Sequence, residues 1–286
     1  MHYCAGVVTY PDEADQTSLH IVLNIAVSIS AACLTYAVCL HMAELLLHVS
    51  AVHEAGYICS MLFIIPGFPF ITSGIDLAKL DLRSGLERLT YSIIIVLGAT
   101  VFAWIMALLL KLQPQDFVAL HLGSMMHLVL RLIASFCGVF GFSIMFNSSV
   151  CIAATAACIG AVANTLRLEL VDYAGMPSAA AAFIGALTAG LLASIIKRNH
   201  GYPRISLTVP SIVIMVPGLY LYRAIYNFGI MSLTEAVLWL AAAIMIIVSL
   251  PLGLILREYL PTGHSGIAHN RLCMGLCSKT VSIEGE

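Results

Sequence analysis

The chain has 286 residues, of which 60% are hydrophobic and 10% charged, with a mean hydropathy of +0.99 and a net charge of −2. Soluble domains carry about a quarter charged residues, so this composition excludes them and requires an all-α polytopic membrane protein. The balance of charge leaves no basic footprint for nucleic acid, and the acidic start, MHYCAGVVTYPDEADQ, lacks the basic stretch of a signal peptide.

Apolar runs of spanning length, about 17–25 residues each, fall at roughly 20–46, 55–74, 90–110, 118–146, 149–167, 178–196, 206–226 and 233–257. They predict about eight transmembrane helices. The 118–146 run holds His121, His127 and Arg131, so its first part is expected to tilt or lie at the interface. Cys33, Cys39, Cys59, Cys137, Cys151 and Cys158 sit inside apolar runs, where cysteine acts as a small hydrophobe. Lys79, Arg83, Arg88, Lys197, Arg198, Arg204, Arg257, Arg271 and Lys279 share one side of the membrane, against Lys111, Arg167 and Arg223 on the other. Such a bias puts both termini in the cytoplasm. The expected parts are a cytoplasmic segment 1–19, a first membrane repeat 20–115, a second repeat 116–258 and a disordered cytoplasmic tail 259–286.

Within 76–88, DLAKLDLRSGLER, Leu77, Leu80, Leu82 and Leu86 alternate with charges and predict a short helix along the membrane surface. Ser84 and Glu87 have capping-box spacing just ahead of the next apolar run. Ala153, Ala157 and Ala161, then Ala181, Gly185, Ala189 and Ala193, form small-residue stripes that let helix backbones approach in lipid.

The most informative stretch is 206–228, SLTVPSIVIMVPGLYLYRAIYNF. Pro210 and Pro217 each lack an N–H and clash with the carbonyl four residues back, which kinks or breaks a helix. Lipid tolerates such breaks only where protein or water satisfies the freed groups. The stretch echoes 61–76, MLFIIPGFPFITSGID, when Pro66-Gly67 is set on Pro217-Gly218, so that Asp76 meets Asn227. Ser84-x-x-Glu87 then pairs with Ser232-x-x-Glu235 at a spacing three residues shorter. The two copies lie an odd number of spans apart and are therefore inverted. Paired broken helices in inverted repeats mark a transporter site near the midplane.

Candidate site residues follow from that frame, each beside a plainer reading. Pro66, Gly67, Pro217 and Gly218 free backbone groups for a substrate. Asp76 exchanges a proton or caps the surface helix. Thr72 and Ser73 bind a hydroxylated substrate or their own helix carbonyls. Arg223 takes a carboxylate or snorkels, and Tyr220 and Tyr222 line the path or anchor an interface. Asn164 glues helices or faces the site. Arg131 needs a partner, with Glu44 or Glu169 available. His41, His48 and His53 suit an interfacial role better than a proton relay. His264, His269, Cys273 and Cys277 match no zinc signature. No phosphate loop or nucleophile elbow is present, so no enzyme activity, metal or cofactor is expected.

Three stretches resemble a known family: PGFPFITSGIDLAKLDLRSGLERL; FGFSIMFN with CIGAVANTLRLELVDYAGMPSAAAAFIGALTAGLLASIIKR; and PRISLTVPSIVIMVPGLYLYRAI. They are similar to the two halves of the threonine/serine exporter (ThrE-type) family, over approximately residues 20–257. The resemblance implies a ten-helix inner-membrane exporter of small hydroxylated amino acids driven by the proton gradient. In some relatives the halves are separate polypeptides that act together, and one such pair is associated with dicarboxylate (succinate) export. The family's first half normally opens with a cytosolic region and two helices before the equivalent of 20–46, where this chain has about twenty residues. Either the start is a truncated or misassigned reading frame, or a partner subunit is expected to supply the missing part; a homo-oligomer is a separate expectation.

Overall fold

The computed structural model describes residues 11–47, 56–110, 123–200 and 204–259, and all regular structure among them is helical. In chain order the helices are α1 (Pro11–Leu47), α2 (Gly56–Met61) with a single 3-10 turn at Leu62–Ile64, α3 (Gly67–Ala78), α4 (Leu82–Leu110) and α5 (Ser124–Met145). There follow α6 (Val150–Asp172), α7 (Ser178–His200), α8 (Arg204–Val213), α9 (Gly218–Gly229) and α10 (Leu233–Tyr259). Six of these, α1, α4, α5, α6, α7 and α10, are long and apolar enough to cross a membrane, and α8 with α9 forms a seventh span bent by 42°. The eighth expected span, 55–74, is divided among α2, the 3-10 turn and α3, and no piece reaches spanning length. His48, His53 and the tail beyond Tyr259 lie outside the described residues, and His41 is exposed.

The bundle is built inside-out relative to a soluble one. On α4, Val96, Ala99, Ala103 and Ala107 are buried, while Ile94, Leu97, Val101, Ile105 and Leu108 face outward. Lipid is as apolar as leucine, so large residues gain nothing by turning inward, and small ones let backbones approach. The alanine stripes behave accordingly: Ala153, Ala157, Ala161, Ala181, Ala189 and Ala193 are all buried. Closest approach occurs where a Cβ on Gly253 would lie 2.6 Å from the Phe183 carbonyl oxygen, and one on Gly160 would lie 2.9 Å from that of Ser211.

The internal repeat is closer than the sequence pairing suggests. Pro66 has φ −76° and ψ 69°, and Pro217 has φ −81° and ψ 54°. Each sits in an inverse γ-turn, closed by Gly67 N–H to the Ile65 carbonyl and by Gly218 N–H to the Val216 carbonyl, both at 2.8 Å. Downstream, α3 and α9 end alike. Leu80 (φ 65°) and Met231 (φ 60°) take the left-handed conformation. Asp81 N–H bonds the Asp76 carbonyl, and Ser232 N–H bonds that of Asn227. This is the Schellman stop for a helix. Every matched pair is 151 residues apart, including the starts of α4 and α10 at Leu82 and Leu233.

That constant offset corrects two expectations. Asp81, not Ser84, is the counterpart of Ser232 at the helix start, so the three-residue difference disappears; Ser84 and Glu87 lie inside α4, where Glu87 pairs with Arg83. No separate surface helix exists at 76–88, because the Leu80 turn passes straight into α4. A third correction concerns Pro210, which sits within α8 and does not break it.

Packing follows the same symmetry. α1 packs on α2 and α4 as α7 packs on α8 and α10; α3 contacts α4, α8 and α10 as α9 contacts α10, α2 and α4. Substituting Gly253→Ala forces two backbones apart and is expected to cost about 1–3 kcal/mol. Gly98→Ala, where a Cβ meets nothing within 4 Å, is expected to cost nothing. Unfolding of the purified protein in detergent measures both.

Candidate translocation site

The two breaks are seated in each other. A Cβ on Gly67 would lie 3.2 Å from Val213 Cγ1 and 3.4 Å from Val216 Cγ2; one on Gly218 would lie 2.7 Å from Leu62 Cδ2 and 2.9 Å from Ile65 Cδ1. Val213 and Val216 are the 151-residue counterparts of Leu62 and Ile65. Contact in which i touches j′ while i′ touches j is the mark of a two-fold axis, and here it runs between the glycines. An apolar cavity of about 200 Å³ adjoins this crossing, lined by Gly67, Phe142, Val213, Val216 and Gly218 among others.

A second cavity, of about 190 Å³, opens between the end of α3, the starts of α4 and α8, and the end of α10. Its polar lining is Thr72, Asp76, Lys79, Arg88 and Thr208. Sites for drug-sized ligands run to ~300–1,000 Å³, so this one suits a small molecule. Asp76 Oδ2 accepts from Ser84 Oγ at 3.2 Å and pairs with Arg88 Nη1 at 3.0 Å. With side chains 24% and 50% exposed, that pair lies at the mouth rather than in the depth of the bundle. Thr72 lines the cavity while its hydroxyl bonds the Phe68 and Pro69 carbonyls. Ser73 is fully buried and bonds the Phe70 carbonyl, away from the cavity.

The opposite end holds the counterpart positions with different chemistry. Asn227 replaces Asp76, Trp239 replaces Arg88 and Arg223 replaces Thr72, each 151 residues on. The Arg223 guanidinium lies 4.8 Å above the Trp239 ring, a cation–π contact, and Tyr220 meets the same ring edge-on at 5.4 Å. Asn227 Nδ2 bonds the Arg223 carbonyl at 2.9 Å. Buried Tyr57 and Tyr222 join hydroxyls at 2.6 Å, tying α2 to α9.

Asn164 is buried in α6, where its amide donates to Ser135 Oγ at 2.9 Å and its oxygen accepts from Arg167 at 3.3 Å. Arg131 is claimed by two acids on α6, Glu169 at 3.0 Å and Asp172. Of the two partners expected for it, Glu169 is used, while the Glu44 side chain lies outside those described. Among the described residues, no cluster of three His, Cys, Asp or Glu side chains is arranged to hold a metal.

Comparison with known families accounts for most of the chain. The family model described as Threonine/Serine exporter, ThrE matches residues 131–260, and its companion ThrE model, also for a threonine/serine exporter, matches 12–111. The chain belongs to the threonine/serine exporter family. The two matches divide the exporter between the two Pro-Gly breaks, one in each. Membership places it among amino-acid exporters, as a multi-pass membrane protein with a small-molecule substrate. Searches of curated proteins and of solved structures return no match.

Arg88, Trp239, Tyr57, Thr208 and Arg167 were not singled out as site residues from sequence. Carrying the 151-residue offset past Asp76 would have reached Arg88 and Trp239. In the sequence Arg167 stands at the end of the apolar run 149–167, whereas α6 continues to Asp172. The Asp76–Arg88 pair is half in solvent and contributes at most ~1 kcal/mol. Asp76→Asn, which can still accept from Ser84, is accordingly expected to shift stability by less than about 1 kcal/mol in a detergent melt.

Proposed function

We propose that the exporter moves threonine and serine out of the cell through the inner membrane by exchange for protons, with both termini in the cytoplasm. The reciprocal seating of Gly67 and Gly218 carries this reading. Two broken helices that cross on a two-fold axis give one central point where backbone groups are free and about which two halves can rock. The cavity bearing Asp76, Thr72 and Thr208 is then the cytoplasmic entrance. Lys79, Arg83 and Arg88 lie at that end, in keeping with a cytoplasmic orientation. Asp76 is the carboxylate that alternates between Arg88 and a proton, and the Tyr57–Tyr222 bond and Arg223–Trp239 contact are the closures that part when the site turns outward. Pro66 and Pro217 hold the breaks open in both states.

A second reading is favoured by Lys79 and Arg88 together at the cavity: two cations suit a dicarboxylate such as succinate. Separately, the exporter is proposed to assemble with a partner subunit or with a second copy of itself. The mass of the purified exporter in detergent separates these assemblies.

The deciding experiment loads cells or proteoliposomes with labelled threonine, serine or succinate and follows efflux. Threonine and serine efflux is expected to need a pH gradient and to fall at least tenfold in Asp76→Asn and in Pro217→Ala. Unchanged efflux in both variants, or efflux of succinate alone, would overturn the proposal.

A further inference from the structure

Among the described residues, Arg167 is an arginine of the bundle that no carboxylate pairs. It lies five residues before the end of α6, about 8 Å along the axis at 1.5 Å per residue. Its neighbours place it in the interior rather than toward lipid. A Cβ on Gly185 of α7 would lie 3.3 Å from Arg167 Cβ. One Nη donates to Asn164, itself held by Ser135 of α5. A Cβ at the same Gly185 position would lie 3.2 Å from the Sδ of Met215, two residues before the break at Pro217. Among the described residues Arg167 forms no ion pair, and its Nε is enclosed without a hydrogen-bond partner. Arg131, by contrast, is matched by Glu169 and Asp172. An arginine inside a membrane bundle without an acid marks a place where an anion arrives.

A second feature points the same way. Tyr220 belongs to the first turn of α9, where the first helical hydrogen bond runs from Leu221 N–H to the Pro217 carbonyl. The N–H groups of Leu219 and Tyr220 therefore open the helix without a backbone partner, at its positive dipole end. The counterpart of Tyr220 in the first break is Pro69, which has no N–H to offer. The second break therefore offers two adjacent open N–H groups, where the first has that of Phe68 alone.

We propose that Arg167, with the opening N–H groups of α9, binds the α-carboxylate of the transported amino acid. This rests on the amino-acid reading above and adds the residue that recognises the cargo. A planar guanidinium takes a carboxylate through two parallel bonds, and Asn164 and Ser135 hold it in position from α6 and α5.

The test uses the purified full chain carrying Trp104→Phe, which leaves Trp239 as the only tryptophan, in ring contact with Tyr220. Its fluorescence is titrated with threonine, threoninamide and succinate. Threonine is expected to bind roughly thirtyfold or more tightly than threoninamide, which lacks the carboxylate. Arg167→Gln should weaken threonine to the level of threoninamide and leave threoninamide unchanged. Arg167→Lys, a point charge in place of a fork, should fall between. Wild-type threonine affinity in a folded Arg167→Gln protein, or equal binding of threonine and threoninamide by the parent, would overturn the proposal. If Arg167→Gln does not reach the membrane, Arg167→Lys takes its place, and an unchanged threonine-to-threoninamide ratio overturns it. Succinate binding that depends on Arg167, with no threonine binding, would keep the anion site and overturn the amino-acid reading.

Discussion

Hydrocarbon offers nothing to a backbone N–H or carbonyl that has lost its helical partner, and the arrangement of this bundle follows from that constraint. Two helices are interrupted at Pro-Gly, and each interruption must be sheltered at membrane depth. Both are closed by the same inverse γ-turn, and each is sheltered by the other: Gly67 against Val213 and Val216, Gly218 against Leu62 and Ile65. A side chain at either glycine would wedge the crossing open. Once the breaks are locked together, α3 must lie against α10 and α9 against α4. The remaining spans close the outside with small residues inward and large ones to lipid.

Charge is placed with similar economy. Arg131 is balanced by two carboxylates on the next helix, Asp76 by Arg88, and Arg223 rests on an indole face. Each arrangement joins two helices, so it also helps to hold the bundle. Arg167, which no carboxylate pairs among the described residues, departs from this pattern.

Much of the fold was legible in the sequence because the two strongest signals, hydrophobic length and Pro-Gly interruption, act locally. The apolar runs located the helices, and the echo between Pro66-Gly67 and Pro217-Gly218 located the axis. What failed was register beyond the breaks. A capping-box pattern at Ser84 drew the repeat out of alignment, since Asp81 supplies an equally good helix start and the left-handed turn at Leu80 is invisible in a leucine. Pro210 was misleading for a related reason: it lies in the short α8, whose far end three residues later already adjoins the break. Side-chain partners were legible least. Nothing in a linear pattern tells that Tyr57 finds Tyr222, that Ser73 turns to its own helix, or that Arg167 lies within α6, because these depend on helix rotation, which small-residue packing leaves open.

The pairs that fasten each broken helix to its successor share one equivalent position, Arg88 and Trp239, yet they respond to water in opposite ways. The Asp76–Arg88 latch lies at the cavity mouth, where hydration can replace each partner at little cost and added salt screens the attraction. The Arg223–Trp239 latch grows stronger as water leaves it. Wetting one end therefore loosens α3 from α4 while drying the other tightens α9 on α10. The difference traces to two exchanges between the repeats, Trp239 standing where the first has Arg88 and Arg223 where it has Thr72.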